Sequence, residues 1–103
     1  MSREEKVYNY LMEHCQGKAN LIKNRELMKL FDIHSDKAMR KVIQNIREDK
    51  RFIQIVGSVS GKAGGNYICT NEAEVQETID NIKHRANQML RMCHILSWKK
   101  NLK

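Results

Sequence analysis

The apolar positions of this chain recur with a helical period in four stretches and with an extended pattern between them. Residues 18–23 are too short for a helix and are predicted to be extended. Residues 52–59 and 66–70, rich in β-branched residues, are predicted to form a hairpin around a glycine-rich turn. The predicted helices are residues 3–16, a short run opened by Asn24 whose period breaks at residues 31–34, residues 36–49 and residues 72–98.

Polar residues mark where these helices begin. Ser2 and Asn71 each precede glutamates in a pattern like a capping box, and Ser35 is followed by Asp36 at the positive end of the helix dipole. Asn24 is predicted to accept hydrogen bonds from the free amides of the helix that it opens. The predicted order is therefore helix, strand, helix, helix, strand, strand and a long final helix.

The helix predicted over residues 36–49 has two sharply different faces. Its apolar stripe is predicted to pack inward, while its polar face is almost entirely cationic. Together with the preceding short helix and tight turn, this pattern is typical of a helix-turn-helix whose second helix enters the DNA major groove. The stripe is Met39, Val42, Ile43 and Ile46, and the polar face is Lys37, Arg40, Lys41, Gln44 and Arg47.

The charge of the chain supports a polyanionic partner. The 103 residues carry 19 Lys and Arg against 12 Asp and Glu, which gives a formal net charge of +7. Residues 18–62 alone hold eleven cations and five acids. The positive field is thus concentrated around the predicted helix-turn-helix, as in nucleic-acid-binding domains.

Residues 3–70 resemble the winged helix-turn-helix family of DNA-binding domains, in the order of elements and in the run ELMKLFDIHSDKAMRKVI. That run matches a family pattern of the type ELxxLxGISxxxVRxxL, with Asp32 where glycine is common; Asp tolerates the left-handed conformation better than most residues. The resemblance implies a mainly α fold with a small β-hairpin, comprising a winged-helix domain at residues 2–71 and a long helix at residues 72–99. Short proteins of this architecture are similar to prophage and bacterial regulators or replication proteins.

The candidate DNA-binding residues follow from the resemblance and the charges. Arg40 and Gln44 are predicted to hydrogen-bond base edges, and Arg47 lies on the same DNA-facing helix face; the other candidate residues are predicted to contact phosphates. The alternatives are a merely solvated helix face and, for the glycine-rich turn, a flexible hairpin tip. The predicted phosphate contacts are His34, Ser35, Lys37, Lys41, Lys62, Lys23 and Arg25.

The final predicted helix carries an apolar stripe with alternating spacings of four and three residues. Its first half, residues 75–82, is expected to cover the domain by packing on the first helix, and its second half to pair with a second copy of the chain. A monomer remains an alternative, because Ala86 and Cys93 are small. The predicted dimer contacts are Ala86, Met89, Cys93, Leu96 and Trp98.

The sequence therefore predicts a non-enzymatic, cytoplasmic and nucleoid-associated protein that binds double-stranded DNA as a homodimer, in transcriptional regulation or replication. The alternative is a protein-interaction adaptor whose final helix docks a partner through Met89, Met92, Leu96 and Trp98. RNA binding ranks below both, because an exposed aromatic platform is lacking.

Other classes of function are disfavoured by the sequence. Three cysteines without a CxxC pair suggest neither a disulfide framework nor a zinc site, and they are expected to be small buried residues. A catalytic constellation, a P-loop and an apolar run long enough for a bilayer are not found. No cofactor, membrane association or small-molecule effector is predicted.

Overall fold

The computed structural model describes residues 1–61 and 64–101. The described chain is mainly helical, with a small antiparallel sheet and a long C-terminal helix, and its elements follow the predicted order. A 3-10 turn precedes the first strand. The elements are α1 (Arg3–His14), the turn (Lys18–Asn20), β1 (Ile22–Lys23), α2 (Asn24–Leu30), α3 (Asp36–Glu48), β2 (Val56–Val59), β3 (Gly65–Ile68) and α4 (Glu72–Asn101).

Three helices are capped where the sequence predicts. The side chains of Ser2, Ser35 and Asn71 each accept a hydrogen bond from the amide three residues further along, at 3.2, 3.1 and 2.9 Å. Each bond satisfies one of the amides that a helix start leaves without an intrahelical partner. Local sequence therefore determines where α1, α3 and α4 begin.

The predicted cap of α2 is wrong. The helix begins at Asn24 itself, and Lys23 precedes it without a side-chain cap. The Asn24 amide oxygen instead accepts a hydrogen bond from Nδ2 of Asn66 in β3. Asn66 is buried, and a buried amide needs a partner, so this tertiary contact takes the place of the local cap.

Helix α1 ends two residues before the predicted residue 16 because the chain after it joins the sheet. The Gly17 amide donates to the Ile68 carbonyl, and the Ile68 amide donates to the Cys15 carbonyl, both at 2.8 Å. Gly17 has a φ of +83°, a conformation that glycine adopts without strain. The sheet contact thus competes successfully with another turn of helix.

Strand β2 is shorter than the predicted residues 52–59. The ring of Phe52 packs on Tyr8 of α1, with centroids 4.6 Å apart, and the Gln54 amide donates to the Tyr8 hydroxyl at 3.2 Å. These contacts attach the first half of the predicted strand to α1. The second half, Val56–Val59, forms β2, and of the first half the Ile55 carbonyl still accepts a hydrogen bond from the Cys69 amide at 2.9 Å.

The sheet has the strand order β1–β3–β2, with both pairs antiparallel. In the hairpin, Val56 faces Ile68 and Ser58 faces Asn66. The turn before α3 contains Asp32 at a φ of +54°, which confirms the left-handed conformation expected of it.

The core is formed by the apolar faces of α1, α2 and α3 against the sheet. The α3 stripe is buried as predicted. The largest fully buried side chains are Tyr67, Leu11, Leu27, Met39, Ile46, Ile68, Val7 and Val56.

The first turns of α4 pack on β2, rather than on α1 as predicted. Val75 is partly buried against the core, and the buried Thr78 accepts a hydrogen bond from the Ser58 amide at 3.4 Å. Ile79 and Ile82 retain 40% and 41% exposure, so the cover that this half provides is partial.

Beyond Asn81, the side chains of α4 are exposed through Lys100. Thirty helical residues span about 45 Å. The largest extent of the molecule is 55 Å, against 31 and 29 Å in the other directions. The second half of α4 is therefore a projecting arm.

Candidate nucleic-acid interface

The exposed face of α3 presents its cations to solvent. Lys37, Arg40 and Lys41 are exposed, and the burial of the opposite stripe fixes the rotation of the helix. Within residues 1–61 and 64–101, none of these three side chains forms a salt bridge. Their charges are consequently available to an external anion.

Three carboxylates elsewhere in the described chain are engaged with other groups. Glu77 pairs with Lys18 at 2.6 Å, and Asp49 pairs with Arg51 at 2.8 Å. Glu74 accepts a hydrogen bond from the Lys18 amide at 2.8 Å. The hydrogen bond from the Lys18 amide is the largest of several effects that lower the pKa of Glu74.

The side-chain amide of Gln44 is engaged in a hydrogen bond to another residue of α3. Its Nε2 donates to Oε1 of Glu48 at 2.9 Å, an i to i+4 contact on the exposed face. Contact with a base edge through this amide would require the bond to break. Of the two predicted base-reading residues, Arg40 is the one whose side chain forms no hydrogen bond within the described chain.

Arg47 lies on the predicted face, but its guanidinium contacts the protein. Nε and Nη2 donate to the Val56 carbonyl at 3.0 and 2.9 Å, and Nη2 also donates to the Ser58 hydroxyl at 2.7 Å. Burial of the guanidinium is the main cause that lowers the pKa of Arg47, and the charge of Arg85 lowers it further. Arg47 thus joins α3 to β2.

His34 and Ser35 lie at the start of α3, as expected. His34 Nε2 is 3.0 Å from an oxygen of Asp32, and the Ser35 hydroxyl oxygen serves as the helix cap. Both side chains are exposed. They remain near the cations of the α3 face but already have intramolecular partners.

The three remaining predicted phosphate contacts are Lys23, Arg25 and Lys62, and the structure describes the first two. Lys23 and Arg25 are exposed on β1 and α2. Arg25 lines a depression of about 480 Å³ together with Lys29 and His34 and with two acids, Asp32 and Asp36, so positive and negative charges are mixed there. Lys62 lies outside the described residues.

A second depression, here called the hairpin groove, lies between α3, the β2–β3 hairpin and α4. Its volume is about 590 Å³, and Arg40, Arg47 and Arg85 line it together with Ser58 and Ile82. Arg85 was not predicted to belong to the site. The available signal was its position three residues after Ile82, which places it at the edge of the apolar stripe.

The predicted dimer contacts do not share one face of α4. Ala86, Met89, Cys93 and Leu96 follow the stripe and are exposed, with Met89 at 71% and Leu96 at 59%. Trp98 is also exposed, but it follows Leu96 by two residues and is therefore rotated by about 200° around the helix. A partner on the stripe would not contact Trp98.

The cysteines differ in exposure. Cys15 and Cys69 are buried, as expected, and burial raises the pKa of both thiols. The expectation that Cys93 is buried is wrong, because it lies on the projecting part of α4. In the described part of the chain, His, Cys, Asp and Glu form no group of three that could hold a metal ion.

None of the described helices has both the length and the apolar content needed to cross a bilayer. No protein-family model, curated protein or solved structure matches this chain.

Proposed function

We propose that this chain is a winged-helix protein that binds double-stranded DNA through the exposed face of α3, in transcriptional regulation or replication. The observation that carries the proposal is the cluster of Lys37, Arg40 and Lys41, which are exposed on one helix face and unpaired by any described carboxylate. A helix with this face and a buried opposite stripe fits a major groove.

The arrangement of the other elements supports the winged-helix interpretation. A short helix and a tight turn precede α3, and an antiparallel hairpin follows it. The hairpin lies beside α3 because Arg47 binds the backbone of β2. In this arrangement the hairpin corresponds to the wing, at the side of the helix that enters the groove.

The test is binding to a random-sequence duplex at low salt. The variant Arg40→Ala with Lys41→Ala removes two charges from the α3 face, and Lys6→Ala with Lys50→Ala removes two exposed charges elsewhere. We expect the first variant to bind much more weakly and the second to stay close to wild type. Equal affinity of the two variants would refute the proposed interface.

The proposal includes a homodimer formed by the projecting part of α4. The exposed residues Met89, Cys93 and Leu96 lie on one stripe, and pairing with the same stripe of a second copy would remove them from water. A two-fold dimer presents two α3 helices to one DNA site, which increases the apparent affinity.

The second candidate function is a protein-interaction adaptor, and the same exposed arm favours it. Met89 and Met92 are 71% and 53% exposed, and flexible thioethers adapt readily to a partner surface. In this alternative the free chain is a monomer and the duplex-binding test is negative. The two measurements together distinguish the candidates.

A further inference from the structure

The hairpin groove contains an excess of positive charge that the protein does not neutralise. Three arginines line it, and Glu48 is the one carboxylate among its described lining residues. Glu48 already accepts the hydrogen bond from Gln44. The groove therefore has a net positive charge next to the exposed face of α3.

The three arginines are not equivalent. Arg47 is committed to Val56 and Ser58 of the hairpin. Within the described residues, the guanidinium groups of Arg40 and Arg85 form neither a hydrogen bond nor a salt bridge. One of these free groups comes from α3 and the other from α4, so the two approach the groove from different elements.

We propose that Arg85 and Arg40 together bind a phosphate group of the DNA backbone in the hairpin groove, which makes α4 a DNA-contacting element. This inference rests on the proposed function. Guanidinium groups bind phosphate oxygens in bidentate geometry, and a bound anion would relieve the repulsion between the like charges that line the groove. Arg40 lies both on the exposed face of α3 and in the hairpin groove, so the groove is continuous with the α3 interface.

A DNA phosphate fits the position of the groove better than a small anionic ligand does. The groove adjoins the exposed α3 face, where a bound duplex would already place its backbone. The contact would also fix the direction of the projecting arm relative to the DNA. Arg85 thus couples the geometry of α4 to the DNA interface.

The test compares Arg85→Gln with Arg91→Gln in salt titrations of duplex binding. Arg91 is exposed on the same helix but does not line the groove, and each variant removes one charge. We expect Arg85→Gln to reduce the slope of log K against log salt by about one, which is the loss of one phosphate contact. Arg91→Gln should keep the wild-type slope.

Two further variants make the outcomes separable. Arg85→Lys keeps the charge and should keep the slope, but it should bind less tightly because a lysine cannot form the bidentate contact. An unchanged slope in Arg85→Gln, or an equal loss in Arg91→Gln, would overturn this inference while the α3 interface stands. Absence of duplex binding by the wild-type chain would overturn both proposals.

A mononucleotide titration checks the choice of ligand. Wild-type chain that binds a mononucleotide tightly through Arg85, but binds the duplex with a slope that Arg85→Gln leaves unchanged, would show a small-ligand site instead. That result would contradict the proposed backbone contact.

Discussion

Nη2 of Arg47 donates a hydrogen bond of 2.7 Å to the hydroxyl of Ser58. The Ser58 hydroxyl in turn donates to Oδ1 of Asn66 at 2.9 Å, and Asn66 donates to Asn24. This chain of hydrogen bonds links α3, β2, β3 and α2. A cation that the sequence assigns to DNA therefore has a structural role, because it holds the hairpin against the helix.

Replacement of Arg47 by Ala should reduce the stability of the fold. The change removes three hydrogen bonds and leaves the Val56 carbonyl without this donor, which we expect to cost about 1–3 kcal/mol of unfolding free energy. Urea unfolding measures the loss. The control Lys41→Ala removes an exposed charge and should stay within about 0.5 kcal/mol of wild type. Equal stability of the two variants would contradict the structural role of Arg47.

Glu74 should make stability depend on pH. Hydrogen bonds from the amides of Lys18 and Thr70 lower the pKa of this carboxyl, so the folded state favours its ionised form. The contribution is present above the ordinary carboxyl pKa and is lost as the pH falls through the lowered value. Glu74→Gln should melt at a lower temperature than wild type at pH 7, and the two melting temperatures should converge only as the pH falls through the lowered pKa of Glu74. A difference that does not change with pH would exclude this mechanism.

Gly57 should not tolerate a side chain. A Cβ at this position would lie 2.5 Å from Cζ of Tyr67 and 2.8 Å from Sγ of Cys69. Because Tyr67 is fully buried, Gly57→Ala should cost about 1–3 kcal/mol through overpacking. Chemical denaturation checks the value, with the exposed Ser60→Ala as a matched control. Wild-type stability in Gly57→Ala would show that the core can adjust.

The projecting arm should set the oligomeric state. Wild-type chain should scatter light as a species of about twice 12.1 kDa, and Met89→Lys with Leu96→Lys should reduce the mass to that of one chain. Trp98→Ala is the control, because Trp98 lies on the other side of α4. A single-chain mass for the wild type would remove the dimer from the account and favour the adaptor.

Local signals made much of the fold predictable. The caps at Ser2, Ser35 and Asn71 and the buried stripe of α3 depend on residues close together in sequence, and their predictions are confirmed. The left-handed Asp32 belongs to the same group. Such features need no knowledge of the tertiary contacts.

Tertiary contacts account for the places where the structure differs from the predictions made from the sequence. Asn24 binds Asn66, which is 42 residues away in sequence, and Phe52 leaves the predicted strand to pack on Tyr8. Arg47 satisfies the carbonyl of Val56. The sequence predicts a different role for each of these side chains: a helix cap for Asn24, a strand position for Phe52 and a DNA contact for Arg47. In the structure, each side chain instead contacts a residue on another element.

In the candidate site, one part could be predicted from the sequence and another part could not. The exposed cations of α3 follow from the helical period, whereas Arg85 enters the groove only because α4 packs on β2. The position of Trp98 follows from helical geometry alone, since a residue two positions after Leu96 lies on the opposite side of the helix. Sequence periodicity thus assigns faces of a helix, but not which elements meet.

The most direct test of the central proposal is a salt titration of the wild-type chain on a random-sequence duplex, beside Arg40→Ala with Lys41→Ala. Phosphate neutralisation by the α3 face predicts that log K falls linearly with log salt. In the double variant, whose helical content by circular dichroism should be unchanged, the slope should be shallower by about one to two. Absence of duplex binding at low salt, or an identical slope in the variant, would contradict the proposal that α3 binds DNA.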